Sequence, residues 1–376
     1  MPASTESLRL FLCGDVMTGR GIDQALPYPA KPMLFEPHIR DARAYLDRAE
    51  EAHGEIKRPV SFDYIWGEAL TELDLAKVDL KIVNLETAIT TSDKHWFGKG
   101  IHYRMNPRNI GCLSAPGIHA CALANNHVMD WSHAGLVETL QTLDVAGIAH
   151  AGAGSNVDEA MRPAILNVSG KGRILFFSIG SITSGIPSDW RATHVSAGVN
   201  LVDQLSEKSA AQLAKRIREF QQPGDLVIVS VHWGGNWGYH IPSQQVAFAH
   251  RLIDEGVAIV HAHSSHHVKA IEVFKGKLIL YGCGDFITDY EGISGHEHFR
   301  RDLALMYLLE IDPRSGDLQS ARLVPMQMRR FRLERTSSGD AQFLCDLLMK
   351  TAEHFNTHFE VAEGDSLILT GGRPGD

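Results

Sequence analysis

The sequence predicts an α/β fold, because two patterns alternate along its 376 residues. Short apolar runs typical of buried strands are separated by segments in which apolar residues recur every three or four positions, as on one face of a helix. The length suffices for one large domain, or two modest ones, with a buried core. The predicted strands cover residues 8–13, 80–84, 120–124, 174–178, 226–231, 257–261, 270–274 and 277–281.

Amphipathic helices are expected between these strands. Leucine, isoleucine and phenylalanine recur with helical spacing in residues 136–143 and 213–220. A third helix is predicted to begin with an N-cap at Ser243 and to stop at Gly256. The sequence FKGK at 274–277 indicates a hairpin turn through its glycine.

Three stretches interrupt this alternation, at residues 23–63, 91–110 and 181–200. Long loops on a compact α/β domain often form the mouth of a site, so we expect these insertions there. Residues 331–376 are more polar and end in TGGRPGD. We therefore expect a main domain over residues 1–330, followed by an extension made of a helix and a frayed tail.

Charge and cysteine usage narrow the class of protein. Lys plus Arg number 36 against 45 Asp plus Glu, a net charge of −9, which argues against a nucleic-acid partner. Five scattered cysteines without a CxxC spacing indicate reduced thiols. The first residues, MPASTES, lack the cation of a secretory signal, and no run approaches the ~20 apolar residues of a membrane span. These features predict a cytoplasmic protein without a membrane span.

Polar residues follow five of the predicted strands. The carboxyl ends of strands in an open α/β sheet are where ligands bind, so these residues are expected to meet at one site. Carboxylate, amide and imidazole groups together suit Zn, Mn or Fe, with Mg less favoured by imidazole. Two such ions about 3.5–4 Å apart can activate water for hydrolysis. The residues are Asp15, Asn84, Glu86, Asn125, Asn126, His127, His232 and the histidines of 261–267.

Each of these residues also has a purely structural interpretation. Asp15 could be a turn residue, and Asn84 and Glu86 could cap the element that follows. Residues 125–127 could form a hydrogen-bonded turn, and a lone His232 is more often a core histidine than a ligand. The recurrence of such residues at five strand ends favours a metal or catalytic centre.

The segment HAHSSHH, residues 261–267, holds four histidines. His261 and His263 lie on the same side of a strand, because side chains alternate with a period of two. His263 and His267 are the favoured ligands, and His266 competes with His267. His261 is expected to support a ligand through a hydrogen bond.

Five ordered motifs resemble the CapA/PgsA family, whose members are associated with poly-γ-glutamate capsule synthesis. The resemblance covers residues 8–330 and implies a calcineurin-like metallophosphoesterase fold. That fold is a sandwich of two mixed β-sheets flanked by helices, with a two-metal centre at the strand ends. The motifs are GDVMTGRG (14–21), NLETAIT (84–90), CALANNHVMDWSHAGLVETLQTLDVAGIAHAGAG (121–154), VSVHWGGNWGY (229–239) and IEVFKGKLILYGCGDFI (271–287).

The resemblance also implies roles for single residues. Asp15 stands at the first aspartate ligand, and Glu86 at the position of a metal-bridging aspartate. His127 corresponds to an acid/base histidine, and with Asp15 it is a catalytic candidate. The remaining implied ligands are Asn126, His232, His263, His266 and His267. Supporting hydrogen bonds are expected from Asn84, Asn125, His261 and Asp285.

This sequence departs from the family pattern at three places. Met17 stands where the wider superfamily often has a histidine ligand, and Glu replaces Asp at position 86. The last motif reads His-Ser-Ser-His-His over residues 263–267, rather than two histidines one residue apart. These changes bear on the occupancy of one of the two metal positions.

Three functions follow as alternatives. The first is a hydrolase that uses metal-activated water on a phosphoester or a γ-glutamyl amide, with His127 protonating the leaving group near its natural pKa. The second is a metal-dependent epimerase acting on a peptide. The third is a non-catalytic subunit of a polyglutamate synthase complex. The candidates to contact an anionic small-molecule, peptide or polyglutamate substrate are Arg20, Arg104, Lys269 and Trp233.

Overall fold

Two mixed β-sheets pack face to face in the computed structural model of the protein, which describes residues 6–371. The start of MPASTES and most of the expected frayed tail, residues 372–376, lie outside the described residues. The predicted sandwich of two mixed sheets flanked by helices is confirmed.

Ten strands of the described chain form the first sheet, in the order β20-β21-β18-β17-β1-β2-β5-β6, with β16 beside β1 and β19 beside β18. β1 is parallel to β2 and β16, and antiparallel to β17. The strands are β1 (Leu8–Val16), β2 (Leu80–Leu85), β5 (Ala120–Ala122), β6 (Ala149–Ala151), β16 (Asp285–Ile287), β17 (Leu303–Ile311), β18 (Leu318–Arg329), β19 (Arg332–Arg335), β20 (Phe359–Ala362) and β21 (Ser366–Leu369).

The second sheet follows the order β11-β9-β12-β13-β15-β14, with β8 beside β9. Its central strands β9, β12, β13 and β15 are parallel. Its members are β8 (Ala164–Val168), β9 (Gly172–Ser181), β11 (Leu201–Val202), β12 (Leu226–His232), β13 (Ile259–His263), β14 (Ile271–Phe274) and β15 (Lys277–Leu280). Two small ribbons pair β3 (Ala88–Ile89) with β4 (Arg104–Met105) and β7 (Ala153–Gly154) with β10 (Gly198–Val199).

Helices cover the outer faces of the sandwich. α1 to α5 pack with the first sheet, and α7 and α8 with the second. α8 begins at the predicted Ser243, but Pro242 holds the N-cap position without a side-chain hydrogen bond. The helices are α1 (Arg20–Ala25), α2 (Arg43–His53), α3 (Ala69–Ala76), α4 (Gly111–Ser114), α5 (Ser132–Ala146), α6 (Val157–Ala160), α7 (Glu207–Arg218), α8 (Ser243–Asp254) and α9 (Ser338–Thr351).

Alternating side chains divide the core into layers. In β12, Val227, Val229 and Val231 face the outer helices, whereas Ile228 faces the opposite sheet. Ser230 and His232 continue the alternation of Ile228, so both are directed between the sheets. The polar end of each central strand is therefore delivered to the cleft between the two sheets.

Residues beyond 330, expected as an extension, contribute to the first sheet. β19 and β21 both pair with β18, and β20 pairs with β21. α9 packs Leu344 and Leu348 into the core between the sheets. The sheet thus continues past the predicted boundary at residue 330.

The three insertions differ in their relation to the strand ends. Lys99, in residues 91–110, contacts His127, and Ser184, in residues 181–200, donates a hydrogen bond to the carbonyl of His232 over 3.2 Å. Residues 23–63 supply partners to Arg20. No helix between residues 6 and 371 has the length and apolar character needed to cross a membrane.

Candidate metal centre

Three neighbouring strands of the first sheet place acidic and amide groups side by side. In register, Asp15 of β1 lies beside Asn84 of β2 and Asp285 of β16. Asn84 Nδ2 donates to Asp15 Oδ1 over 2.7 Å and to Glu86 Oε2 over 3.1 Å. Asn84 therefore holds two carboxylates through one amide group.

Two parallel strands of the second sheet present a pair of histidines. His232 ends β12, His263 ends β13, and the two residues are register partners. Their Nδ1 atoms lie 2.7 Å apart, and His263 Nδ1 lies 3.8 Å from Asp15 Oδ1. One ligand atom each from Asp15, His232 and His263 lies within 4.8 Å of the others, so the three buried groups could hold one metal ion.

A chain of hydrogen bonds fixes the proton positions behind this group. His261 Nε2 donates to the carbonyl oxygen of Cys13 over 2.8 Å. Burial lowers the pKa of His261 to about 4, so the ring is neutral at pH 7 and its Nδ1 accepts from the Ser230 hydroxyl. The Ser230 oxygen in turn accepts from His263 Nε2 over 2.8 Å. His263 Nδ1 is therefore an unprotonated nitrogen that faces His232 and Asp15.

His232 cannot satisfy both of its neighbours in the neutral form. Burial lowers its pKa well below the usual value, so it carries one ring proton. If Nδ1 holds the proton, Nε2 faces the Asn126 Oδ1 acceptor at 3.0 Å; if Nε2 holds it, two unprotonated Nδ1 atoms face each other at 2.7 Å. With the Asn126 amide oriented as it is here, either position of the proton leaves two hydrogen-bond acceptors facing each other. A cation bound between them would resolve this conflict, so the donor set fits a metal.

The carboxylates at the centre are strongly perturbed. Burial raises the pKa of Asp15 to about 7, and the charge of Asp285 adds to the effect. Burial also raises the pKa of Glu86 well above its usual range, followed by the charge of Asp15. Glu86 Oε1 lies 3.8 Å from His127 Nε2 and 4.0 Å from His232 Nε2. A nearby cation would favour the ionised form of each carboxylate.

His127 belongs to a buried ion-pair network. Its Nδ1 lies 2.7 Å from Asp130 Oδ2, and Lys99 Nζ lies 2.6 Å from Asp130 Oδ1. Burial lowers the pKa of His127 to about 4 despite the opposing charge of Asp130, so the predicted near-natural pKa is wrong. Sequence reasoning missed Asp130 and Lys99. The spacing of an aspartate three residues after His127 could have indicated the first, and nothing local indicated the second.

The two asparagines of the third motif have different surroundings. Asn125 is buried, donates to Asn84 Oδ1 and to the carbonyl of Leu85, and accepts from the amides of His127 and Val128. It shapes the turn and supports its neighbours. Asn126 turns its Oδ1 to His232 Nε2 at 3.0 Å.

The adjacent residues His266 and His267 have side chains in different surroundings. His266 Nδ1 lies 2.9 Å from Asp285 Oδ1. Burial alone would lower the pKa of His266, but the charge of Asp285, the hydrogen bond to it and the charge of Asp15 together outweigh burial and raise this pKa. His267 Nδ1 donates to the carbonyl of Val268, and its ring stacks on Phe299 with centroids 4.6 Å apart. The structure therefore brings His266 near the carboxylates and places His267 in an aromatic stack, contrary to the preference for His267.

Most of the residues predicted to contact a substrate instead bond to other groups of the protein. Arg20 is 3% exposed and pairs with Asp289 and Glu36. Arg104 donates to the carbonyls of Lys31 and Ser92 and lies over the ring of Trp131. These guanidinium groups hold loops together, so their prediction as substrate contacts is not supported by the structure.

Trp233 is also buried and lies away from the cleft. Its Nε1 donates to the carbonyl of Tyr281, and its ring packs against Phe248 of α8. It faces the helices because His232, one residue earlier, faces the cleft. Lys269 is nearly buried, and burial lowers its pKa.

Comparison with known proteins decides the family. A family model described as "Bacterial capsule synthesis protein PGA_cap" matches residues 9–290. The chain belongs to this family. The predicted resemblance to CapA/PgsA proteins is thereby confirmed.

Several relatives of this chain carry related names. A "Probable polyglutamine synthesis accessory protein" of Mycobacterium tuberculosis is 42% identical over 369 residues, which are 98% of this chain and 97% of the relative. The "Capsule biosynthesis protein CapA" of Bacillus anthracis is 23% identical over 76% of this chain and 60% of its own. The "PGA biosynthesis protein CapA" of Bacillus subtilis is 25% identical over 76% and 64%.

Proposed function

We propose that this member of the family is a metal-dependent hydrolase in the biosynthesis of poly-γ-glutamate or a related cell-envelope polymer, with the cytoplasm as its predicted location. Its substrate would contain a phosphoester or a γ-glutamyl amide. The observation that carries the proposal is that His232 faces a hydrogen-bond acceptor on both sides, His263 Nδ1 and Asn126 Oδ1, and has only one ring proton. A cation suits such a group of acceptors. The names of the relatives support the pathway.

The residues that would hold the first cation come from both sheets. Asp15, His232 and His263 offer one carboxylate and two imidazole ligands, with the Asn126 oxygen adjacent to His232. This mixed oxygen and nitrogen set suits Mn, Zn or Fe. A bound divalent cation would supply an activated water and offset the negative charge that develops during hydrolysis.

His127 provides the acid/base group of the proposal. The Nδ1–H group of His127 donates a hydrogen bond to Asp130, so Nε2 is the unprotonated nitrogen of the neutral ring. Nε2 is directed toward Glu86. With its pKa lowered to about 4, His127 begins the reaction as a proton acceptor rather than as a stored proton donor. It can then return that proton to the leaving group.

An accessory subunit without turnover is the second candidate. It is favoured by the accessory role in the name of the relative that is 42% identical along almost its whole length. Met17 in place of a usual ligand also suits a protein that retains the fold without full metal loading. The two candidates share metal binding and differ in turnover.

Metal analysis followed by an activity screen tests the proposal. The purified protein, reconstituted with Mn²⁺ or Zn²⁺, is expected to retain metal after desalting, whereas Asp15→Ala and His232→Ala lose most of it. Hydrolysis of generic phosphodiester or γ-glutamyl substrates, abolished in His127→Ala, would support the hydrolase. Metal without hydrolysis across both substrate classes would favour the accessory subunit. Wild-type protein that takes up neither ion would end the metal hypothesis.

A further inference from the structure

His267 has a buried ring nitrogen without a hydrogen-bond partner. The residue is 1% exposed, and its Nδ1 donates to the carbonyl of Val268 over 3.0 Å. Burial favours the neutral ring, so Nε2 carries no proton and can only accept a hydrogen bond. No group among residues 6–371 donates to this nitrogen. A buried acceptor without a donor is costly, because it loses its hydration and gains no hydrogen bond in return.

The His267 ring lies among aromatic side chains. Tyr239 meets it edge-on with ring centroids 4.6 Å apart, and Trp237 lies nearly parallel to it at 6.2 Å. Tyr239 and Trp237 follow β12 and are partly exposed, so the three rings form a floor that reaches the surface. Trp237 also lies 5.2 Å from the ring of His266. This aromatic floor, made of Trp237, Tyr239 and His267, therefore adjoins the candidate metal centre and lies outside it.

Residues 294–300, which we call the flap, cover the aromatic floor. Phe299 stacks on His267 with an angle of 12° between the rings and centroids 4.6 Å apart. His296 stacks on Trp237 at 14°, with centroids 4.1 Å apart. Phe299 also lies 5.3 Å from the third ring of the floor. Two rings of the flap therefore occupy ring faces that a ligand would otherwise be able to use.

The backbone of the flap is strained and lies at the surface. Its short 3-10 helix, Glu297–Phe299, has no buried residue. His296 before this helix and Arg300 after it have a left-handed backbone, with φ of 64° and 49°. Residues with a β-carbon are unfavourable in this conformation, and segments with few buried contacts open more readily than the core. Ring stacking therefore holds a segment that is otherwise weakly attached.

A cation lies close to the unpartnered nitrogen. Lys269 is 6% exposed, and its charge adds to the effect of burial in lowering the pKa of His267. Burial also lowers the pKa of Lys269, and no carboxylate among residues 6–371 opposes this effect. An acceptor nitrogen near an unpaired ammonium group is complementary to a ligand with an N–H group and a carboxylate. A peptide that carries free carboxylates has both groups, whereas a phosphodiester group has no N–H.

We propose that the aromatic floor is a subsite for a carboxylate-bearing peptide and that the flap, residues 294–300, is displaced when the peptide binds. With the flap open, an amide N–H of the peptide donates to His267 Nε2, and a carboxylate of the peptide pairs with Lys269. The peptide chain packs against Trp237 and Tyr239 and leads toward the metal centre. The inference rests on the proposed function, since it selects the γ-glutamyl amide from the two proposed substrate classes.

Calorimetric titration of the full-length protein with a short γ-linked glutamate peptide, in a chelator, tests the subsite without metal. Wild-type protein is expected to bind the peptide. His267→Phe keeps the stacked ring and removes Nε2, so it should weaken binding by ~10-fold or more. Lys269→Met keeps a long apolar stem and removes the charge, so it should weaken binding to a similar degree, ~10-fold or more.

Phe299→Ala tests the flap through the sign of its effect. If the flap and the peptide compete for the same ring faces, loosening the flap increases the fraction of open protein and should tighten binding by ~3-fold or more. Trypsin should cleave after Arg300 or Arg301 faster in this variant, and also in wild-type protein once the peptide is bound.

Two variants elsewhere in the chain serve as matched controls. His95 stacks on Phe35 with centroids 3.6 Å apart, so His95→Phe also replaces a stacked imidazole. Lys275 forms an exposed pair with Asp254, so Lys275→Met also removes a cation. Both controls should bind the peptide as the wild type does, and thermal melts should show that every variant is folded.

The outcomes separate this inference from the proposed function. Wild-type protein that retains metal and hydrolyses phosphodiesters but binds no peptide would overturn the subsite and leave the hydrolase intact. Equal peptide affinity in wild type, His267→Phe and Lys269→Met would also overturn the subsite, as would binding that requires added metal. Weaker binding in Phe299→Ala would overturn displacement of the flap. Peptide binding as expected, in a protein that takes up no metal, would end the hydrolase proposal alone.

Discussion

The Nδ1 atom of His127 donates to Oδ2 of Asp130 over 2.7 Å, so the carboxylate determines which ring nitrogen faces the cleft. Tyr103 contributes a second donor, its backbone amide at 2.7 Å from the same oxygen. A carboxylate behind a histidine holds the ring in one tautomer and stabilises its protonated form. In the proposed hydrolase, Asp130 would therefore act through His127, as a positioning residue.

Asp130→Asn is expected to lower kcat by about 10²–10⁴-fold without unfolding the protein, because the amide can hold His127 in the wrong tautomer. Steady-state hydrolysis and circular dichroism would measure the two effects. Asp144→Asn, which alters a surface pair with His150, is the control. The double variant with His127→Ala should be no slower than His127→Ala alone. An unchanged kcat in Asp130→Asn would contradict the assignment.

Ser230→Ala should weaken metal binding by about 10–100-fold, since the hydroxyl fixes the protons of His261 and His263. Competition with a chelating indicator measures this affinity. Ser178 is the register partner of Ser230 on β9 and is equally buried, so Ser178→Ala serves as the control. Equal metal affinity in both variants would show that the ring protons are set in another way.

The stability of the metal-free protein should depend on pH through Asp15. Its pKa is raised from 3.8 to about 7 in the folded state, so the unfolded chain loses this proton first as pH rises. As the pH rises from 4 to 7, Asp15 therefore lowers the free energy of unfolding by at most about 1.4 kcal/mol per pH unit. Above pH 7 its contribution no longer changes with pH.

Urea unfolding of wild type and Asp15→Asn in a chelator isolates this effect. The variant should become progressively more stable than the wild type from about pH 4 to pH 7. His127, His261 and His267, whose pKa values burial lowers to about 4, oppose the trend but are present in both proteins. A stability difference that does not change with pH would refute the raised pKa.

Arg20→Ala should destabilise the protein by about 3–5 kcal/mol, because it leaves the buried carboxylates of Asp289 and Glu36 without their cation. Chemical denaturation measures this loss. Arg43→Ala breaks an exposed pair with Asp41 and should cost less than about 1 kcal/mol. Wild-type stability combined with a raised KM would instead restore Arg20 as a substrate contact.

Local sequence patterns predicted the strand ends well. An apolar run and the polar residue that ends it are neighbours in the chain, so the pattern alone sufficed to predict that Asp15, His232 and His263 come together. The period of two also predicted that His261 and His263 share a face, which the bonds to Ser230 reflect. The same rule, applied to Trp233, would have placed it opposite His232.

Residues whose roles depend on distant partners could not be predicted. Arg20 pairs with Asp289, 269 residues away, and this partner turns a candidate ligand contact into a structural anchor. Lys99 meets Asp130 only through the folding of a separate loop, residues 91–110. His266 and His267 are adjacent in sequence, but Asp285 and Phe299 draw them to different surroundings.

The pairing of β21 with β18 has a practical consequence for shortened forms of the protein. A chain ended at residue 330 would lose the strand that pairs with Arg322 and Leu323 and leave β18 as an uncovered edge of the sheet. It would also expose apolar side chains that α9 now covers with Leu344 and Leu348. Exposed strand edges promote aggregation, so a recombinant fragment should extend at least through Leu369 to remain monodisperse.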